Sequence, residues 1–299
     1  MVGVAESADA VSRWLVTGAG GMLGRDLMAL LEQRGTPVVG LARQELDVTD
    51  AEAVSTAVKH FQPDIVVNCA AWTAVDLAES REAEALAANG HGAAYLAAAC
   101  AAVGARLVQL STDYVFGGSA GRPYAETDAV GPVSAYGRTK LTGEQSVLDQ
   151  LPEAGFVVRT AWLYGAHGHN FVRTMIRLEH TQQEVTVVDD QRGQPTWTAA
   201  VADRIVSLMA AGAPAGIYHA TCSGETTWFG LAREVFSLLG ADPLRVTATT
   251  TSMVGRPAPR PAYSVLGHEG WARAGLPPLD DWRTVLHQAF PALVATADS

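Results

Sequence analysis

The chain has 299 residues, 48% of them hydrophobic and 17% charged, with a formal net charge of −10 and a pI near 5.2. That length buries a sizeable core and suits one large or two unequal domains. The acidic balance argues against nucleic acid or an anionic membrane surface as the main partner, because neither attracts such a protein.

Residues 1–12 have neither a basic leader region nor an apolar core, and no later apolar run is expected to reach the ~18 residues of a membrane span, which predicts a soluble, cytoplasmic protein. Trp14-Leu-Val-Thr17 is a short apolar run that stops at Gly18-Ala-Gly-Gly21-Met-Leu-Gly24; Leu23, Leu27, Leu30 and Leu31 then recur at helical spacing up to Gly35. This predicts strand, glycine turn, helix. Glycines let the backbone turn tightly and let a pyrophosphate approach the unpaired N–H groups of the helix start, so the Gly-x-x-Gly-x-x-Gly spacing points to a dinucleotide; the alternative is a tight turn without a ligand. No carboxylate follows the second strand, residues 38–41, where NAD would need one for its ribose 2′-hydroxyl. Arg43 stands there, either suiting the 2′-phosphate of NADP or lying free on an exposed loop.

Thr49 or Asp50 is placed to cap a helix carrying Val54, Ala57, Val58 and Phe61, which Pro63 ends. Asp64-Ile-Val-Val-Asn68 reads as a strand buried on both faces, and the small residues of Cys69-Ala-Ala-Trp-Thr-Ala-Val-Asp76 suit close approach to a cofactor. The three cysteines, Cys69, Cys100 and Cys222, are odd in number and lack ligand spacing, which predicts reduced, buried thiols. An alanine-rich helical stretch over 81–103 contains Asn89, which is either a satisfied core amide or part of a catalytic relay.

Residues 106–110 form the fourth strand, and Ser111-Thr112-Asp113-Tyr114-Val115-Phe116 follows at its carboxyl end, where open α/β sheets place ligand chemistry. Thr112 can hydrogen-bond a substrate carbonyl or merely cap backbone. A helix entered through Pro132 and Ser134 carries Tyr136-Gly-Arg-Thr-Lys140. Its phenol and ammonium share a face, and a cation held close draws down a phenol that titrates near ~10 in water, as a carbonyl reductase requires; similar pairs also decorate solvated helices. Residues 156–160 are a further strand. Beyond them the pattern is less regular, with Gly168-His-Asn170-Phe, a Gln194-Pro-Thr-Trp197 turn and short helices suggesting a separate substrate lobe. Arg256-Pro-Ala-Pro-Arg260-Pro sets two arginines on a stiff segment, either to grip an anionic ligand or to sit in solvent.

With these motifs the chain resembles the extended short-chain dehydrogenase/reductases and, more closely, the dTDP-4-dehydrorhamnose reductase family. The likeness runs over roughly residues 13–290 and includes Asn68 to Asp76, Ser111 to Phe116, Tyr136-Gly-Arg-Thr-Lys-Leu-Thr-Gly-Glu144, Arg159-Thr-Ala-Trp-Leu-Tyr164 and Arg256 to Pro261. The expected fold is α/β, a Rossmann-type doubly wound parallel sheet with a smaller α/β substrate-binding lobe. The dinucleotide-binding domain is expected over 13–163 plus roughly 196–217, and the lobe over roughly 164–195 and 218–299.

The resemblance implies that Thr112, Tyr136 and Lys140 are the catalytic triad, with Asn89 in the proton relay. It places Gly18, Gly21, Met22, Leu23, Gly24, Arg43, Asp47, Val48, Ala70 and Ala71, together with Tyr136 and Lys140, against NADPH, with NADH as a second cofactor. Thr112, Asp113, Trp162, Asn170 and Arg260 would face a sugar nucleotide. The implied chemistry is reduction of the C4 ketone of a dTDP-4-keto-6-deoxyhexose, foremost dTDP-4-dehydro-L-rhamnose to dTDP-L-rhamnose, with Tyr136 as proton donor and no metal. Another dTDP-4-keto deoxysugar, or a non-catalytic regulatory subunit of the same fold, are the alternatives; the intact triad favours an enzyme. The related 4,6-dehydratases carry Thr-Asp-Glu after the fourth strand, and Tyr114 in place of that glutamate counts against dehydration. Some relatives dimerise through carboxylates and a metal, but Thr198, Ala199 and Ala200 stand where a glutamate is expected after Pro195. Metal-dependent dimerisation is therefore not expected, and monomer and homodimer both remain open.

Overall fold

The computed structural model describes residues 12–296. Its central sheet holds six parallel strands among the described residues: β1 (Trp14–Thr17), β2 (Val38–Leu41), β3 (Ile65–Asn68), β4 (Arg106–Thr112), β5 (Gly155–Thr160) and β6 (Gly216–His219). They lie in the order β2-β1-β3-β4-β5-β6. Every residue of β1, β3 and β5 is buried, which is why their sequences are continuous apolar runs rather than alternating ones. β4 continues two residues past the predicted end because Ser111 and Thr112 pair with Arg159 and Thr160 of β5. β6 has no counterpart among the predicted strands.

Chain direction across the sheet reverses between β1 and β3, so the loops leaving these strands part and open a crevice at their carboxyl ends. Gly18, at the end of β1, has φ +66°, and a Cβ there would meet the Ala70 backbone nitrogen at 2.5 Å. Only glycine lets these two loops touch.

The helix Met22–Gln33 buries Leu23, Leu27 and Leu31 on the sheet. Of the two candidate caps for the next helix, Ala51–Phe61, Asp50 does the work, accepting from the Glu52 and Ala53 N–H groups. The helix stops at Gln62, in the left-handed region, directly before Pro63. Residues Glu82–Val103 are helical throughout, with one π-turn at Ala87–His91. At 22 residues and mean hydropathy 1.2 this helix has the length and apolarity of a membrane span, contrary to the expectation from sequence. In the fold its small residues serve close packing: Ala93, Leu96, Ala97 and Cys100 lie with Val54, Val58 and Val147 in the cluster beneath one sheet face.

On the other face, one apolar cluster runs from Val16, Leu27 and Val158 through Ile205 and Tyr218 to Val235, Phe236, Leu286 and Leu293. The C-terminal elements thus share a core with the sheet. Their strands form small units, such as Val185–Val188 beside Val246–Thr249. All three cysteines are free; Cys100 and Cys222 are buried as expected, whereas Cys69 is only partly so.

Candidate active site

Loops leaving β1, β2 and β3 enclose a cavity of about 650 Å³. Gly18 and Gly21 form one wall, Ala70 and Ala71 another, and Arg43, Asp47 and Val48 close the far end. The remaining predicted cofactor residues lie behind this surface. Gly24 is packed so that a Cβ would meet the Gly18 carbonyl oxygen at 2.4 Å, and Leu23 is in the core. Met22 receives the Asn170 side-chain amide on its sulfur at 3.6 Å. Asp47 accepts the Thr49 N–H and hydroxyl, bonds that hold its carboxyl below the ordinary range. Arg25, on the helix turn just after the last glycine, also lines the cavity, and its Nε donates to the Gly20 carbonyl. Sequence reasoning passed over it, although an arginine one residue past the final glycine is a readable signal for a phosphate site.

A second cavity, of about 430 Å³, lies on the C-terminal side. Phe171, Met175 and Trp228 supply an apolar wall, and Tyr114, Arg256 and Arg260 a polar one. Arg260 does not offer a free fork: both carboxylate oxygens of Asp76 engage its two terminal nitrogens, and the same carboxylate accepts the Ala258 N–H at 3.1 Å. Arg256 reaches Asp76 only at 3.5 Å.

The predicted catalytic residues line neither cavity and touch each through a neighbour. Ser134 caps the helix Ala135–Gln150 by accepting the Gly137 N–H, and Gly137 packs so closely that a Cβ would meet the Tyr114 carbonyl oxygen at 2.2 Å. This contact seats Tyr136 against β4: its ring meets Tyr114 edge-on at 5.6 Å, and its phenol faces the Thr112 hydroxyl, which favours the charged form. Tyr114 faces the second cavity. Lys140 is buried, donates to the Leu110 carbonyl at 2.5 Å, and interacts with Cys69, which lines the first cavity.

The electrostatics differ from the expectation in one respect. Lys140 was to draw the Tyr136 phenol down; instead burial pushes the phenol up, with Asp113 and Tyr114 adding to the rise and Thr112 opposing it. Burial likewise pushes Lys140 down to about 8, against the pull of Glu144 and Cys69. Lys140 is not among the groups acting on the phenol, and for each of the two residues burial outweighs its neighbours.

Asn89 is 1% exposed and lies in the π-turn. Its oxygen accepts the Trp72 N–H, and its nitrogen donates to the Trp72 carbonyl and to Thr139, whose hydroxyl in turn bonds the Tyr136 carbonyl. The amide is spent on protein partners, tying the β3 loop to the Tyr136 helix, which is the satisfied-core alternative. Asn170 is likewise engaged, capping the helix Phe171–Thr181 and donating to the Gly165 carbonyl at 2.8 Å. Trp162, at φ +46°, stacks on Trp228 with ring centroids 3.7 Å apart, so Trp228 rather than Trp162 presents the indole face to the second cavity. Thr198, where a metal-binding glutamate was looked for, donates its hydroxyl to Asp26 at 2.5 Å inside the fold. Among the described residues no His, Cys, Asp and Glu cluster could hold a metal ion.

A family model described as the RmlD substrate binding domain matches residues 12–294. The chain is 60% identical over 289 residues to a dTDP-4-dehydrorhamnose reductase of Streptomyces griseus, covering 95% of each. The chain belongs to the dTDP-4-dehydrorhamnose reductase family. Within the dTDP-4-dehydrorhamnose reductase family and its named relatives, it is also 55% identical over 283 residues to a dTDP-4-keto-6-deoxy-D-glucose reductase of Streptomyces niveus, covering 95% of this chain and 98% of that one. A solved dTDP-4-dehydrorhamnose reductase from Bacillus anthracis, in complex with NADP, superposes with a TM-score of 0.91 at 36% identity over 94% of this chain and 99% of the other.

Proposed function

We propose that the protein is an NADPH-dependent reductase of the C4 ketone of a dTDP-4-keto-6-deoxyhexose, foremost converting dTDP-4-dehydro-L-rhamnose to dTDP-L-rhamnose. One observation carries this reading: Tyr136 faces the Thr112 hydroxyl and packs on Tyr114 of the aromatic, arginine-bearing cavity, while Lys140 of the same helix interacts with Cys69 of the glycine-walled one. The glycine turn, with the N–H groups of the following helix and the guanidinium groups of Arg25 and Arg43, fits a dinucleotide carrying a 2′-phosphate. NADPH bound there supplies the hydride.

Thr112 and Tyr136 hold the ketone oxygen, and Tyr136 gives its proton to the alkoxide as it forms. A phenol raised by burial is protonated throughout the neutral range, the form a donor needs. Lys140, with its titration brought to about 8, stands behind it as the next proton source and as a donor toward the cofactor ribose. Trp228, Phe171 and Met175 offer the nucleoside base an apolar wall, and Arg256 a charge for the diphosphate.

The Streptomyces niveus relative supports a second reading, reduction of a different dTDP-4-keto sugar, since stereochemistry at the hexose is read by contacts that no motif reports. Residues 13–163 with roughly 196–217 form the cofactor domain in this reading, and the remainder the substrate lobe. The enzyme would work as a soluble cytoplasmic monomer or homodimer. The test is to generate dTDP-4-keto-6-deoxyhexoses enzymatically, with and without a 3,5-epimerase, and to follow NADPH loss and product stereochemistry. Turnover confined to UDP- or GDP-linked ketones would overturn the proposal.

A further inference from the structure

Thr112 has one hydroxyl proton to give and two lone pairs. The Tyr114 N–H occupies one lone pair at 3.2 Å. The proton itself points to Oδ1 of Asp113, at 3.0 Å. Asp113 is 2% exposed, and its Oδ2 has no partner at hydrogen-bonding geometry among the described residues, although the Ser264 hydroxyl is near enough to favour the carboxylate. A buried, half-satisfied carboxyl is thus coupled to one of the two hydroxyls proposed to hold the ketone oxygen. An ionised Asp113 can only accept, so it captures the Thr112 proton. A protonated Asp113 can donate to the second lone pair of Thr112, leaving the Thr112 proton free to turn to the Tyr136 oxygen or to a carbonyl oxygen held beside it.

We propose that Asp113 is a positioning residue whose protonation decides whether Thr112 presents its hydroxyl proton to the substrate ketone or surrenders it to the carboxylate. The inference rests on the proposed reductase function. The titratable groups facing Asp113 are the phenols of Tyr114 beside it and Tyr136 from the adjoining helix, both raised by burial and therefore neutral; from the C-terminal segment comes the Ser264 hydroxyl. Arg256 and Arg260 act on Tyr114, and the Lys140 ammonium is turned to the Leu110 carbonyl. Burial pushes Asp113 up to about 6, within the range of assay.

The experiment measures kcat and KM from pH 5 to 8 with NADPH and a dTDP-4-keto-6-deoxyhexose for wild type, Asp113→Asn and Thr112→Val. The wild-type kcat is expected to fall as pH rises, approaching about tenfold per unit above the midpoint. In Asp113→Asn the amide donates to Thr112 at every pH, and the limb disappears. Thr112→Val lowers the rate and removes the same limb, a result that stands if the Asn variant fails to fold. A flat wild-type profile, or a limb with its midpoint near 6 surviving in either variant, overturns the inference. Should wild type turn over no dTDP-linked ketone, the reductase reading fails separately. Infrared difference spectra between wild type and Asp113→Asn then decide the matter, because they need no substrate: a protonated carboxyl band present at pH 5 and lost at pH 8 upholds the titration, and its absence at pH 5 sinks it.

Discussion

Arg159 of β5 and Glu144 of the helix Ala135–Gln150 meet as a two-point ion pair, Nε to Oε1 at 2.9 Å and Nη2 to Oε2 at 2.7 Å, with both side chains 2% exposed. The guanidinium also lies over the Phe116 ring and beside His219, whose imidazole burial and the Arg159 charge hold neutral by driving it down to about 3. Such a pair adds little over an apolar replacement, but removing one partner leaves a charge stranded without water. Glu144→Leu and Arg159→Met singly are expected to cost about 3–5 kcal/mol, and the double variant markedly less than their sum. Urea unfolding of the four proteins checks this; additive losses would count against it.

Tyr136→Phe keeps the ring that packs on Tyr114 and removes the proton donor. The expected outcome is a drop in kcat of roughly 10²–10⁴-fold with NADPH affinity nearly intact, read by steady-state kinetics and cofactor fluorescence. Near-normal turnover would remove Tyr136 from the chemistry.

Lys140 has its titration lowered from an ordinary 10.5 to about 8 by burial. Between those values the folded protein has shed the proton that the unfolded chain still binds, so this group makes the fold more stable as pH rises through the window. Lys140→Met should therefore gain stability over wild type at pH 7 and lose that advantage by pH 10, while its reductase activity falls at both. Thermal or urea unfolding of the pair across pH 7 to 10 reads the difference, and a pH-independent gap would disprove the lowered titration.

Arg25 and Arg43 both line the first cavity. Truncating either to Ala is expected to lower kcat/KM for NADPH by about tenfold, the scale of a lost charge-assisted hydrogen bond, and to leave NADH little affected. Equal losses with both cofactors would show that neither guanidinium reads the 2′-phosphate.

Much of this was legible in the chain because a parallel sheet buries both faces of its strands: β1, β3 and β5 announce themselves as apolar runs, and the glycine turn and Tyr136 to Lys140 follow from local spacing. β6 escaped notice because a four-residue Gly-Ile-Tyr-His strand has too little apolar pattern to stand out from a loop. The fate of Arg260 was invisible, since its partner Asp76 is 184 residues away in sequence. The cap supplied by Asn170 was legible, since an asparagine just before a helical run is a readable helix start. The π-turn at Asn89 has no sequence signature; it follows from Asn89 being required to reach Trp72 and Thr139 together.

The segment that leaves β3 carries Ala70, Ala71 and Trp72 into the first cavity and, within a few residues, Asp76 onto the arginine segment bordering the second. One short stretch of backbone is thus a shared strut for two binding events. Any free energy that one ligand draws from bracing it must reappear, in equal measure, in the affinity of the other. Dissociation constants for dTDP with and without saturating NADPH, and for NADPH with and without dTDP, will therefore shift by the same factor, and Asp76→Asn, which cuts the strut, will bring that factor toward unity.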